Sequence, residues 1–395
     1  MPDDAIQERV GVRVARARKR RGLTQNGLAQ RARYSRSHIA QIETGAKVAT
    51  PAFVAAVAAA LGVDPAEIYG QPYRAHGHDD EVHVSITEFR RVLACMDAGP
   101  ELAGSPRSLD ELAAEVATAR HLLHKAQLTR LGTRLPSVLE ELTYWAYESD
   151  SPRAWALLSR ALYSAVGLAR RLGYGGDALA LLERSAEVTR RAEDPHLPAL
   201  MTLARALLLL GMNAPAPALT LLDRAAGQID PDRPDSGEVA GALDLRSAIV
   251  ASRAGDASRG WDYLGRAAER IKAGKGGTDV HGLQFTAANV AIHGAAVAVE
   301  LGDLDEAARR DHAIGERTLN ALPPERRAHH EIDMSRVHVE TGAYDKALER
   351  LESADRTAPQ MTQFHPSARS VVAHLVDVRR SLPEPLRRLQ RRVAV

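Results

Sequence analysis

RGLTQNGLAQRARYSRSHIAQIETG, residues 21–45, is the stretch whose reading decides the fold. Gly22 is placed to end a preceding helix, since glycine readily takes the left-handed conformation found just past many helix C-termini. Thr24 then offers an oxygen to cap a short helix from Gln25 to Arg31, and Ser35 caps a second from Arg36 to Glu43. Ala32-Arg33-Tyr34 is left for the turn between them, and Gly45 stops the second helix. Leu28 and Ala29 on the first helix are spaced to meet Ile39 and Ile42 on the second, with Ala29 at a crossing that leaves room for little more than a methyl group.

Outward from this core, residues 6–21 (IQERVGVRVARARKRR) place Ile6, Val10, Val14 and Ala17 on one helical face. On the other side Pro51 opens a fourth helix running to Leu61, proline being favoured at the first helical position. A fifth turn follows at Asp64 to Ile68. Two short helices flanked in this way form a helix-turn-helix, whose second helix enters the DNA major groove with its N-terminal residues at the base edges. The charge distribution agrees. Residues 1–75 carry 12 Lys/Arg against 6 Asp/Glu, whereas residues 76–395 carry 40 against 44, under a net charge of only +2. A basic segment at one end of a mildly acidic body suits contact with nucleic acid. Arg13, Arg16, Arg18, Lys19, Arg20 and Arg21 stay open to two readings, phosphate contacts or a solvated helix face.

The framework RGLTQ…LA…S…I..IE.G over residues 21–45 resembles the Cro and phage-repressor family of helix-turn-helix domains, often called XRE, and the likeness spans about residues 6–69. The resemblance implies that Arg36, Ser37 and Gln41 read bases and that Gln25, Ser35 and Thr44 hold phosphates. Arginine can grip guanine and glutamine adenine bidentately, each discriminating by about 1–3 kcal/mol. Two positions depart from the family. Arg33 stands where the turn usually has glycine, and Gly27 stands where glutamate is common.

Residues 70–85 (GQPYRAHGHDDEVHVS) read as a polar linker, and His76, His78 and His83 in it lack the companion ligands of a metal site. Helical periodicity resumes at Ile86–Met96, pauses at Gly99–Ser108, and restarts at a capping box formed by Ser108 and Glu111. From there the chain repeats itself. Small residues at Ala178, Ala218, Gly260, Ala307 and Ala347 each follow a glycine-bearing turn, at Gly173, Gly211, Gly255, Gly302 and Gly342. The units look like tetratricopeptide repeats, clearest at 302–307 and 342–347, with spacings of 40, 42, 47 and 40 residues in place of the usual 34. The whole layout resembles XRE regulators with tetratricopeptide bodies, common in filamentous actinomycetes. The fold expected is therefore all-α: an N-terminal five-helix helix-turn-helix domain (1–70), a linker with one helix (71–108), and an α-solenoid of helical hairpins (109–395).

Stacked hairpins offer a concave surface for peptides, partner helices or small molecules. Asn289 and His293, one turn apart on a helix Ala287–Leu301, resemble the placement of peptide-gripping asparagines in peptide-sensing relatives. Tyr144 and Trp145, in a cluster with Tyr147, Trp155 and Tyr163, form a second candidate lining. No catalytic residue is expected: P-loop, dinucleotide, zinc-protease and serine-elbow motifs are all missing, and Gly274-Lys275-Gly276-Gly277 reads as a loop. The single Cys95 forms no internal disulfide and the sequence holds no apolar run of about 20 residues, so a cytoplasmic protein without cofactor, metal or membrane contact is expected. The function this supports is a homodimeric regulator on a palindromic operator, responding to a peptide, small molecule or protein partner. Two other classes compete: an interaction adaptor with a degenerate helix-turn-helix, and an antitoxin or phage-immunity regulator.

Overall fold

The computed structural model describes residues 8–74, 81–100, 102, 104–274 and 279–393. Among these residues there are 21 helices and no strand. The five at the N-terminus are α1 (Val10–Arg20), α2 (Gln25–Ala32), α3 (Arg36–Glu43), α4 (Pro51–Leu61) and α5 (Pro65–Tyr69). Then come α6 (Glu81–Cys95), α7 (Leu109–His124), α8 (Leu128–Ser149), α9 (Pro152–Arg171), α10 (Gly175–Thr189), α11 (Leu197–Gly211), α12 (Pro215–Ala226) and α13 (Ser236–Arg253). The remainder are α14 (Ala257–Lys272), α15 (Ala287–Leu301), α16 (Leu304–Asn320), α17 (Pro324–Glu340), α18 (Tyr344–Thr357), α19 (Pro359–Phe364), α20 (Pro366–Val378) and α21 (Glu384–Val393).

The chain divides into two compact units. One comprises the residues up to Tyr73, Leu209–Ala214 and Gly294–Val395; the other comprises Arg74–Leu208 and Pro215–His293. In the first unit, Val14, Ala17, Leu28, Ala29, Ile39, Ile42, Phe53 and Val57 form the core of the five-helix head. All four residues expected to meet across the α2–α3 turn are in it. The caps are formed as read: Thr24 Oγ1 accepts from the Gly27 amide and Ser35 Oγ from the His38 amide. The first helix is shorter than its periodicity suggests. Arg9 is extended (φ −66°, ψ 153°), so α1 begins at Val10, and Ile6 lies outside the described residues.

The hairpin turns follow one rule with one variation. Gly173, Gly255, Gly302 and Gly342 have positive φ, as a left-handed turn after a helix demands. At the second turn Gly211 remains the last residue of α11, and Asn213 (φ 58°) takes the left-handed position instead. Asparagine is among the few other residues that visit it routinely. The small residues after each turn are where helices touch. Ala178, Ala218, Ala307 and Ala347 are fully buried, and a Cβ on Gly260 would lie 2.5 Å from Ser252 Oγ.

The linker reading needs correction at its end. Glu81–Ser85 are the first residues of α6, where Val82, His83, Ser85, Ile86, Phe89 and Val92 turn inward. His83 Nδ1 lies 3.2 Å from the Tyr174 hydroxyl, a partner in the fold. His76, His78 and residues 275–278 lie outside the described residues.

Candidate nucleic-acid interface

Helix α3 presents two different sides. Arg36, Ser37 and Gln41 are exposed, while Ile39 and Ile42 are buried on the opposite side. Three base-reading candidates thus share one accessible face. The phosphate candidates are distributed less uniformly. Ser35 is exposed, but its oxygen serves as the helix cap, 3.1 Å from the His38 amide. Thr44 is exposed and its hydroxyl donates back to the carbonyls of Ala40 (3.0 Å) and Gln41 (3.2 Å). His38 tilts towards the core, its ring 5.1 Å from Tyr34 and 5.3 Å from Phe53. Burial, with Lys47 nearby, pushes its pKa below the ordinary histidine value despite the opposing pull of Glu340.

Gln25 belongs to a network that sequence reasoning missed. Arg18 Nε and Nη2 donate to the two Glu43 oxygens at 2.6 and 2.9 Å, and Arg18 Nη1 donates to the Leu23 carbonyl at 2.7 Å. Gln25 Nε2 donates to Glu43 Oε2 at 2.9 Å. These bonds tie α1, the start of α2 and the end of α3 together. Burial pushes the Glu43 carboxyl upward, but the donors from Arg18 and Gln25 outweigh it and hold the group below the usual carboxylate range. Arg18 is therefore neither a phosphate contact nor a solvated charge. Its position four residues after Val14, on the apolar side of α1, is the signal that could have found it. Close packing fixes the same joint: a Cβ on Gly11 would fall 2.0 Å from the Ile42 carbonyl oxygen. Arg33 closes the turn with φ 59° and ψ 41°, the left-handed conformation its glycine-like position requires.

The head is also held by the C-terminal helices of its own unit. Lys47 Nζ lies 3.1 Å from a Glu340 oxygen, Arg9 pairs with Asp377, and His374 Nδ1 lies 3.2 Å from the Gly45 carbonyl. Arg369 lies 3.9 Å over the Tyr73 ring, and burial pulls its pKa down to about 10.

The effector candidates are placed as follows. Asn289 is 2% exposed; its Nδ2 donates to the Gln284 carbonyl at 3.0 Å, and its Oδ1 is buried without a hydrogen-bond partner. His293 Nδ1 meets the Asn289 carbonyl at 2.8 Å, so the two residues are joined through backbone. Tyr144 and Trp145 form an edge-on pair, with Trp145 Nε1 donating to the Arg107 carbonyl at 2.7 Å. Tyr147 instead packs edge-on against Trp155, and Tyr163 lies beneath Arg120, so the aromatic cluster resolves into separate contacts.

One buried polar group was not legible in the sequence. His196 Nδ1 and His281 Nε2 both face Asp235 Oδ2, at 2.9 and 2.6 Å. A metal ion at this oxygen would need His196 Nδ1 unprotonated and therefore Nε2 protonated. The Asp230 amide points its N–H at that same Nε2 from 3.1 Å, which fixes the other tautomer. The triad fits a hydrogen-bonded structural group better than a metal centre.

A capped pair of short helices with an exposed polar face, set in a five-helix head, has the helix-turn-helix arrangement. Residues 9–68 match the family model described as a helix-turn-helix domain. Among solved structures, the chain is similar to the crystal structure of Bacillus thuringiensis PlcR in complex with the peptide PapR7 and DNA. The identity is 12%, the match covers 85% of this chain and 99% of that chain, and the TM-score is 0.34. A comparison with curated proteins finds no match.

Proposed function

We propose that the chain is a sequence-specific DNA-binding transcriptional regulator of the XRE type, with α3 as its reading helix. The observation that carries this reading is the exposed trio Arg36, Ser37 and Gln41 on a helix whose far end is locked by the Arg18–Glu43–Gln25 network. A helix with a guanidinium in its first turn and a carboxamide in its last turn, both exposed, has the donors for major-groove base edges. Gln25, Ser35 and Thr44 border that face and hold phosphates in this reading. The tetratricopeptide-like hairpins of residues 109–395 hold a homodimer in the cytoplasm, placing two readers about 34 Å apart on a palindromic operator. They also carry the response to a peptide, a small molecule or a protein partner. The buried, unpartnered Oδ1 of Asn289 favours an effector site around Asn289 and His293 over one at Tyr144 and Trp145.

Incubating the full-length chain with sheared genomic DNA and sequencing what remains bound tests the reading. A recovered two-fold motif, bound by a dimer with steep salt dependence, is the expected result. Recovery of no sequence above background at low salt would overturn it and favour the adaptor.

A further inference from the structure

In the first unit a cavity of about 70 Å³ opens between the start of α1, the turn after α3, and α20. By this measure a water needs about 10–15 Å³, so the space suits a solute of about five heavy atoms. The walls are partly apolar, with Val10, Ile42 and Ala373 among them, and partly basic, with Arg9, Lys47 and Arg369. Arg369 is 6% exposed and comes from α20, whereas Arg9 and Lys47 come from the head. The acids on the walls are Glu8, which pairs with Arg16, and Asp377, which pairs with Arg9. Lys47 faces Glu340, just outside. Arg13 adds a further positive charge close to Arg369, whose pKa burial draws down to about 10.

We propose that this cavity is a binding site for a small oxyanion, a phosphate or a carboxylate, with Arg369 as its buried anchor. An anion there would sit among charges that are mostly positive, and charge-assisted bonds to a guanidinium are among the strongest such contacts. Because one wall belongs to the reading head and the other to α20, an occupant links the two. Its effect on DNA binding rests on the reading of α3 given above; the binding itself does not.

The test uses the full-length chain without DNA. Inorganic phosphate and succinate are titrated separately by calorimetry at fixed ionic strength, with potassium chloride as the control. Saturable binding of phosphate identifies a phosphate-type ligand, and saturable binding of succinate a carboxylate-type one. Arg369→Met should weaken either at least about tenfold. Ala373→Leu, which fills the cavity while leaving every charge in place, should do the same and guards against a fold defect in the first variant. Heat evolved by neither anion, or binding that survives Ala373→Leu, overturns the proposal. Failure of operator binding is measured separately and leaves this result untouched.

Discussion

Replacing Glu43 with alanine removes the acceptor on which three elements of the head converge. The Arg18 and Glu43 side chains are only 10% and 6% exposed, so the substitution leaves a nearly buried guanidinium with the Leu23 carbonyl and no carboxylate. Breaking a buried, well-bonded ion pair from one side costs about 3–5 kcal/mol. In a cooperative unit of 150–250 residues each kcal/mol moves the melting temperature by about 2–4 °C, so Glu43→Ala should melt roughly 6–20 °C lower. Arg18→Met combined with Glu43→Leu removes both charges and should recover most of that loss, since apolar replacement of a buried pair is often neutral. The pH dependence has a definite sign. Glu43 is held below its ordinary pKa of 4.5 when folded, so its contribution is complete above pH 4.5 and is lost as the pH falls through the lower folded value. Scanning calorimetry of the three proteins at neutral pH and below pH 4.5 measures both effects. A Glu43→Ala variant that melts within 2 °C of the parent (against the roughly 6–20 °C expected), with a difference independent of pH, would refute the reasoning.

Other perturbations test separate joints. Gly11→Ala would set a methyl group 2.0 Å from the Ile42 backbone oxygen, forcing α1 from α3; a loss of at least about 1–3 kcal/mol in urea denaturation is expected, against about 0.5 kcal/mol or less for the exposed Val12→Ala. Arg33→Gly relieves about 1–2 kcal/mol of left-handed strain and returns about 0.4–1 kcal/mol through the freer unfolded chain, for a net gain near 0.5–1 kcal/mol; a less stable variant would contradict the turn assignment. Burial holds His281 below its ordinary pKa of 6.5, although Asp235 pulls the other way, so its share of stability is present above pH 6.5 and lost as the pH falls through the folded value. His281→Gln should therefore flatten the pH dependence of stability below pH 6.5 by up to about 1.4 kcal/mol per pH unit, read from denaturation midpoints across that range.

The parts of the fold written in local chemistry were legible in the sequence. Thr24, Ser35 and Ser108 cap the helices that follow them, because a cap needs only its own side chain and an amide two or three residues on. The periodic small residues at 178, 218, 260, 307 and 347 marked close helix contacts because tight approach excludes larger side chains. Contacts between distant segments were not legible. Lys47 and Glu340, Arg9 and Asp377, and the Gly45 carbonyl with His374 are each about 300 or more positions apart, and no local pattern announces them. Asp235 likewise receives His196 and His281 from other hairpins. Asn213 took the left-handed turn position expected of Gly211 because the helix runs through Gly211, which is its last residue. At the candidate interface, exposure of Arg36, Ser37 and Gln41 followed from the helical period, whereas the engagement of Gln25 with Glu43 depended on the buried Arg18.

The central claim is that α3 reads base sequence, and one comparison tests it most directly. Dissociation constants of the parent chain, Arg36→Ala and Gln41→Ala are measured on the selected operator and on random duplex of equal length, at one salt concentration. Each variant should lose about 1–3 kcal/mol, roughly 5- to 150-fold, on the operator and much less on random DNA, with specificity relaxed at one position per half-site. Equal losses on both duplexes, or none on either, would contradict base reading by α3.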